Sequence, residues 1–318
     1  MTHVATLVCD PAFPVLTEDM LRRAAEVLRL PGPLNWLDPW IAADIAFEPG
    51  QAVGASAIAD RVRSALDNAA VDVIVQRAQG RRKKLLLADM DSTMIGQECI
   101  DELAAEIGKR AEVAAITERA MRGEIAFEPA LRERVALLKG VDRATILDVI
   151  ANKITLTPGG RALVNTMRAN GAHTVLVSGG FSIFTSTIAE RIGFHEHQAN
   201  ELLFGEDGRL CGLVAEPILG KDAKLAALTH AREKHGLSVE ETLAVGDGAN
   251  DLAMLEAAGL GVAFRAKPAV AAAAHARIDH ADLTALLYAQ GYSRGDFIMT
   301  AFQQQGDARV LAEKPPPP

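Results

Sequence analysis

The chain has 318 residues and a mass of 33.8 kDa, room for a domain of about 200 to 240 residues beside a smaller one, which excludes a peptide hormone, a fibre or a disulfide-stapled toxin. Hydrophobic residues make up 49% and charged residues 23%, enough apolar material for a packed core and too much for a generally disordered chain. The net charge of −8 argues against an electrostatic grip on nucleic acid, despite the basic run Arg81-Arg82-Lys83-Lys84.

In chain order, residues 1–80 read as a small α+β unit. A strand is predicted over 4–8, an amphipathic helix over 17–28, strands joined by turns within 34–47, a second helix over 56–69 and a strand over 71–75. The polar, basic stretch 79–84 is the expected junction. From there the pattern becomes strand, loop, helix. The runs Leu85-Leu86-Leu87-Ala88, Thr174-Val175-Leu176-Val177 and Thr242-Leu243-Ala244-Val245 are short, apolar and halted by Asp, Ser or Gly. Continuous apolar strands between helices predict a doubly wound α/β core, its parallel sheet covered on both faces. The helical stretch over about 98–153, broken at Arg122-Gly123, is too long for a crossover and reads as an inserted cap. The core domain is placed at 81–302, and residues 303–318, ending in four prolines, are expected to form a disordered tail.

The three cysteines, Cys9, Cys99 and Cys211, show no Cys-x-x-Cys pair and no companion histidine cluster. Neither a disulfide framework nor a zinc site is indicated, and a reducing cytosol is the expectation. The N-terminus lacks a basic segment followed by an apolar run, and no stretch of about 18 uncharged apolar residues occurs. A cytoplasmic protein without a membrane span is therefore expected.

Four patches carry chemistry. The first strand runs into Asp89-Met90-Asp91, at the carboxyl end of a parallel strand, where ligands bind. Residues i and i+2 of an extended segment share a side, so the two carboxylates can converge on one atom and divide labour between an ionised and a protonated form. A capped turn would use the same residues. The second strand ends at Ser178-Gly179-Gly180-Phe181 before a helical run over 182–192. A hydroxyl and small residues at a helix N-terminus suit an anion, and equally an ordinary turn with an N-cap. The third ends at Gly246-Asp247-Gly248-Ala249-Asn250-Asp251, acids and an amide that suit a hard cation such as Mg²⁺, or a Gly-rich turn capping the next helix. Ahead of it, Lys221 and Lys224 open a helix and offer a point charge to phosphate.

The ordered set Asp-x-Asp, Ser-Gly-Gly, Lys and Gly-Asp-Gly-x-Asn-Asp resembles the motifs of the haloacid dehalogenase superfamily of phosphotransferases, and within it the phosphoserine phosphatases, over about 85–292. That resemblance implies a Mg²⁺-dependent phosphatase that hydrolyses O-phospho-L-serine through an aspartyl-phosphate, completing serine biosynthesis. It makes Asp89 the nucleophile and Asp91 the acid and base. Asp89, Asp247 and the Asp91 carbonyl become the metal ligands, Ser178, Gly179 and Asn250 the phosphate contacts, and Asp251 a supporting acid. Lys224, or failing that Lys221, is the phosphate lysine. In the cap it assigns Glu98 to the substrate ammonium, Arg134 to its carboxylate, and Met121 and Phe127 to an apolar gate. Met121 and Phe127 at helical spacing also suit cap core, and Arg134 could pair with Glu133 or Glu128. By analogy with longer relatives the N-terminal unit is ACT-like, with a regulatory, serine-sensing or homodimerising role. Two rivals stand beside this reading: a phosphatase or phosphotransferase for another small monoester such as phosphohomoserine, and a non-catalytic amino-acid sensor with a vestigial core.

Overall fold

The computed structural model describes residues 1–29, 31–50 and 53–299; the tail expected over 303–318 lies outside them. The N-terminal unit comprises β1 (His3–Val8), α1 (Glu18–Val27), β2 (Pro31–Asp38), β3 (Ala42–Phe47), α2 (Ala55–Ala65) and β4 (Asp72–Arg77). Thr17 caps α1 by accepting from the Met20 N–H, as a threonine ahead of an amphipathic run should. The sheet order is β2-β3-β1-β4, and each pair is antiparallel. This is the split βαβ arrangement of ferredoxin-like domains. Alternation along β1 sends Leu7 to a core shared with Leu21, Ile45 and Val62, while Val8 joins the larger core beyond. The second predicted helix stops at Ala65, four residues short of the expected end, where Asp67 and Asn68 take positive φ.

The junction is anchored along its length. Asp72 accepts the backbone N–H groups of Asp279, His280 and Ala281 at 2.8, 3.1 and 2.8 Å. The Tyr288 hydroxyl donates to Asp38 at 2.9 Å, and Arg81 pairs with Asp44 at 2.7 Å. Lys83, within the expected junction, is buried and donates to the Glu240 carbonyl at 2.7 Å. Burial pushes its pKa down.

The central domain begins with β5 (Leu85–Asp89) and a cap of four helices: α3 (Cys99–Glu106), α4 (Arg110–Met121), α5 (Phe127–Leu137) and α6 (Arg143–Asn152). The predicted break at Arg122-Gly123 separates α4 from α5, and two further breaks fall where Gly108 and Gly140 adopt positive φ. Next come α7 (Gly160–Ala169), β6 (His173–Phe181), α8 (Ser182–Ile192), β7 (Glu196–Asn200), a hairpin of β8 (Leu202–Phe204) and β9 (Leu210–Val214), and α9 (Lys221–Lys234). The chain closes with β10 (Thr242–Gly246), α10 (Leu252–Ala257), β11 (Leu260–Phe264), α11 (Pro268–Ala273), β12 (Ala276–Ile278) and α12 (Ala285–Ala289).

The six-stranded sheet runs β12-β11-β10-β5-β6-β7, with each adjacent pair parallel. Leu85 and Leu87 face the layer that includes α9, α10 and α11, whereas Leu86 and Ala88 face the layer with α7, α8 and α12. Both faces of β5 are thus buried, which is why its sequence is continuously apolar. The strand order reverses between β5 and β10, so their carboxyl ends flank the crevice where open α/β sheets bind ligands. Among the described residues no helix is long and apolar enough to cross a membrane.

Candidate active site

The crevice gathers the four motif patches. Asp89 ends β5, and its Oδ1 accepts from the Met90 N–H at 2.8 Å and pairs with Lys224 Nζ at 2.6 Å. Lys224 lies one turn into α9, 2% exposed, and also reaches Asp251 Oδ1 at 2.5 Å. Lys221 is exposed at the start of the same helix, so Lys224 is the lysine brought to the site. Burial alone would lower its pKa, but Asp89 and Asp251 raise it further, and the ammonium stays charged. Burial and the Asp251 carboxylate push the Asp89 pKa up, while Lys224 pulls it down.

After β5 the chain does not continue extended. Residues 90–94 make a wide turn in which Ser92 takes φ 57°. That turn sends the Asp91 carboxylate away from Lys224: Oδ1 accepts from the Cys99 N–H and Oδ2 from the Ser178 hydroxyl, both at 2.9 Å. The Asp-x-Asp pair is therefore divided by local backbone, one carboxylate beside an ammonium and the other among neutral donors.

Helix α8 starts at Ser182, where the helical run is predicted, with no side-chain cap, but strand β6 runs on through Phe181, so Ser178 and Gly179 lie in the strand and not at the helix N-terminus. Ser178 accepts from the Gly180 N–H at 2.8 Å. A Cβ on Gly180 would stand 3.0 Å from both Asp91 Oδ2 and Ser178 Oγ, so a side chain there would press on the Asp91–Ser178 contact.

Asp247 follows β10, and Thr93 donates to its Oδ1 at 3.2 Å. Burial and Asp251 raise the Asp247 pKa to about 6, against the opposing pull of Thr93 and Lys224. Oxygen atoms of Asp89, Asp247 and Asp251 lie within 4.8 Å of one another. Asp251 uses one oxygen on Lys224 and the other on the N–H groups of Asp247 and Gly248, at 3.1 and 2.9 Å. It braces the loop rather than capping α10. A Cβ on Gly246 would collide with the Asp251 carboxyl, which explains the glycine there. The bonds to Asp89 and Asp247 leave one oxygen of each outside them. Two hard carboxylate oxygens beside a buried third acid fit a small divalent cation such as Mg²⁺. Asn250 is exposed on the same loop.

The cap closes over this crevice. Phe127 opens α5, and a Cβ on Gly179 or Gly220 would meet its ring at 3.4 or 3.7 Å. Met121, 63% exposed, receives Lys267 Nζ at 3.7 Å on Sδ. Both side chains touch the core domain, and neither is buried within the cap, so the cap-core alternative fails. Glu98 accepts from Ser92 Oγ at 2.7 Å. Burial and the nearby Asp91 carboxylate push its pKa up to about 7, with Ser92 opposing. Its outer surface is exposed, so water damps that shift. Arg134 is partly buried, and its only hydrogen bonds among the described residues are weak ones, to Ala130 O at 3.3 Å and Thr117 Oγ1 at 3.4 Å. The alternative partners are taken: Glu133 pairs with Arg119 and Glu128 with Arg132. Burial lowers the Arg134 pKa, and Asp101 and Glu98 hold it up from a distance.

Three contributors escaped the sequence reading. Thr93 and Ser92 sit within the first motif, where a search for hydroxyls reaching either carboxylate cluster would have found them. Asn200, 2% exposed, donates to the Gly179 carbonyl at 2.9 Å and accepts from the Leu219 N–H at 2.7 Å. It joins the end of β6 to the loop entering α9. No local signal marks it, because β7 itself went unpredicted.

Comparison with known proteins agrees with this geometry. The family model described as haloacid dehalogenase-like hydrolase matches residues 86–256, more than half of the chain. A probable phosphoserine phosphatase of Schizosaccharomyces pombe is 43% identical over 229 residues, 72% of this chain and 76% of that one. A phosphoserine phosphatase of Streptomyces coelicolor is 43% identical over 226 residues, and the match spans 70% of this chain but only 55% of that longer protein. The crystal structure of a probable phosphoserine phosphatase from Vibrio cholerae superposes with a TM-score of 0.72 at 30% identity, covering 96% of this chain and 89% of that one. The N-terminal unit is thus part of the shared architecture. The chain belongs to the haloacid dehalogenase-like hydrolase family, as an enzyme related to the phosphoserine phosphatases.

Proposed function

We propose that the chain is a Mg²⁺-dependent phosphoserine phosphatase that converts O-phospho-L-serine and water to L-serine and phosphate, the closing step of serine synthesis. One observation carries the substrate choice. Arg134 presents a partly buried guanidinium with no ion pair among the described residues, within electrostatic reach of Glu98. An arginine fork and a carboxylate recognise the carboxylate and ammonium of an amino acid.

Asp89, paired with the Lys224 ammonium 2.6 Å away, attacks phosphorus through its carboxylate form to make an aspartyl-phosphate as the ester bond to the serine oxygen breaks. Asp91 gives that oxygen its proton and then takes one from the water that attacks phosphorus, as the bond from phosphorus to Asp89 breaks and phosphate leaves, so acid and base roles are exchanged between the half-reactions. Ser178 and the N–H groups beside Gly179, with Lys224, hold the phosphoryl oxygens, and Asn250 lies within the same loop cluster. Asp89, Asp247 and the Asp91 carbonyl are the groups that would hold Mg²⁺, which when bound supplies charge neutralisation to the transferring phosphoryl group. Phe127 and Met121 shut out water. The N-terminal unit, packed on α12, is assigned a regulatory or dimerising role.

The test is phosphate release from L-phosphoserine, phosphothreonine, phosphohomoserine and a sugar phosphate, with Mg²⁺ and with EDTA. A Mg²⁺-dependent kcat/KM peaked on phosphoserine is expected. A flat profile or another peak overturns the substrate, and turnover undiminished in EDTA overturns the metal.

A further inference from the structure

The opposite end of the central sheet carries a second polar cluster that the phosphatase chemistry does not use. His173 opens β6, Glu196 opens β7 and His235 ends α9. One ligand atom from each lies within 4.8 Å of the others. His173 Nε2 stands 3.2 Å from Glu196 Oε1. That separation is close to one edge, about 3.3 Å, of a tetrahedron whose centre binds nitrogen and oxygen at roughly 2.0–2.1 Å. His173 Nε2 is also buried without a hydrogen-bond partner of acceptable geometry, so a ring nitrogen points into the cluster unsatisfied.

The surroundings hold the rings in place. His173 stacks on His195 with centroids 4.7 Å apart and 14° between planes, and its centroid lies 4.1 Å from that of His235. His195 is engaged at both nitrogens, Nε2 accepting from Arg168 Nε at 3.2 Å and Nδ1 donating to Thr174 Oγ1 at 3.1 Å, which makes it a wall and not a ligand.

We propose that His173, Glu196 and His235 form a second metal site for a borderline transition cation of the Zn²⁺ class, with water in the fourth position. Two imidazoles select such ions over Mg²⁺. Lys234, whose Nζ pairs with Glu196 Oε1 at 2.6 Å, must release that oxygen, and an ion pair this exposed holds it weakly. The site is separate from the catalytic one: His173 and Ser178 are five residues apart on β6, about 16 Å at roughly 3.3 Å per residue. A bound ion would tie β6 and β7 to the far end of the helix that carries Lys224. The cysteine-centred reading of the sequence found no zinc site because these histidines meet only in the folded chain.

The experiment titrates Zn²⁺ into the full chain by calorimetry, with Mg²⁺ in large excess to occupy the carboxylate site, and follows Co²⁺ by visible absorption. One saturable Zn²⁺ equivalent is expected, with the intense spectrum of tetrahedral Co²⁺. Binding should weaken at least about tenfold in His235→Ala and in Glu196→Gln, since loss of even an outer partner costs a metal site that much. His235 is exposed and Glu196 half-buried, and unchanged Mg²⁺-supported turnover reports that the fold is kept. Absence of saturable Zn²⁺ binding in the wild type, or equal affinity in both variants, overturns the proposal.

Discussion

Replacing Lys224 by methionine tests the buried charge network directly. The ammonium lies between Asp89 and Asp251, at 2.6 and 2.5 Å, and is 2% exposed. Methionine keeps most of the side-chain volume and removes the charge, leaving carboxylates buried and uncompensated. Breaking a buried ion pair by removing one partner costs about 3–5 kcal/mol. For a domain of this size each kcal/mol is worth roughly 2–4 °C in Tm, so a fall of roughly 6–20 °C is expected. The loss should depend on pH with a definite sign. Burial and Asp251 already push the Asp89 pKa up and Lys224 opposes them, so without the lysine it rises further above the unfolded value of about 3.9. A carboxyl whose pKa is raised by folding destabilises above its unfolded pKa, and that penalty fades as pH falls toward about 4. The gap to wild type should therefore be widest at about pH 8 and narrow on acidification. Mg²⁺ should also narrow it, by returning a cation to the same carboxylates. Thermal unfolding followed by circular dichroism across that range, with and without Mg²⁺, makes the measurement. A Tm within about 2 °C of wild type at every pH would falsify the buried network.

Three further outcomes are expected. Arg134→Ala removes at least one charge-assisted hydrogen bond to the substrate carboxylate, about 1.5–3 kcal/mol, and should raise KM for phosphoserine roughly 12- to 160-fold. It should leave p-nitrophenyl phosphate unchanged, and equal effects on both substrates would remove Arg134 from recognition. With burial and Asp91 pushing the Glu98 pKa up toward about 7 and water damping the shift, kcat/KM at saturating Mg²⁺ should fall as pH drops below neutral, because the protonated acid no longer attracts the ammonium. Glu98→Gln should lower kcat/KM at neutral pH and erase this acid limb, whereas an unaltered limb would assign it to another group. Deleting residues 1–80 strips Asp38 from Tyr288 and Asp72 from three backbone N–H groups. Turnover should persist with a lower Tm, and a folded but inactive truncation would show that the unit completes the site.

The sequence by itself determined the elements whose signal is local. The apolar run of β5 stops at Asp89 because a strand buried on both faces must end where charge begins, and the same reasoning placed the end of β10. The motif order fixed which residues share the crevice, since each follows the carboxyl end of a parallel strand. Strands β7, β11 and β12 escaped: β7 opens with Glu196-His197-Gln198 at a sheet edge, and β12 is three residues long, so neither carries a periodic apolar signal.

Only the tertiary structure decided what depends on residues distant in sequence. Lys224 was separated from Lys221 by burial, which no helix register reports without the sheet beneath it. Among the described residues Arg134 has no ion pair, because Arg119 and Arg132 occupy its neighbouring acids. The division of Asp89 from Asp91 rests on the positive φ at Ser92 and on the reach of Ser178 from another strand. Asn200 and the His173, Glu196 and His235 cluster follow the same rule. Hydrogen bonds and ligand sets are set by distances of a few ångströms in space, and a linear pattern records only the distances along the chain.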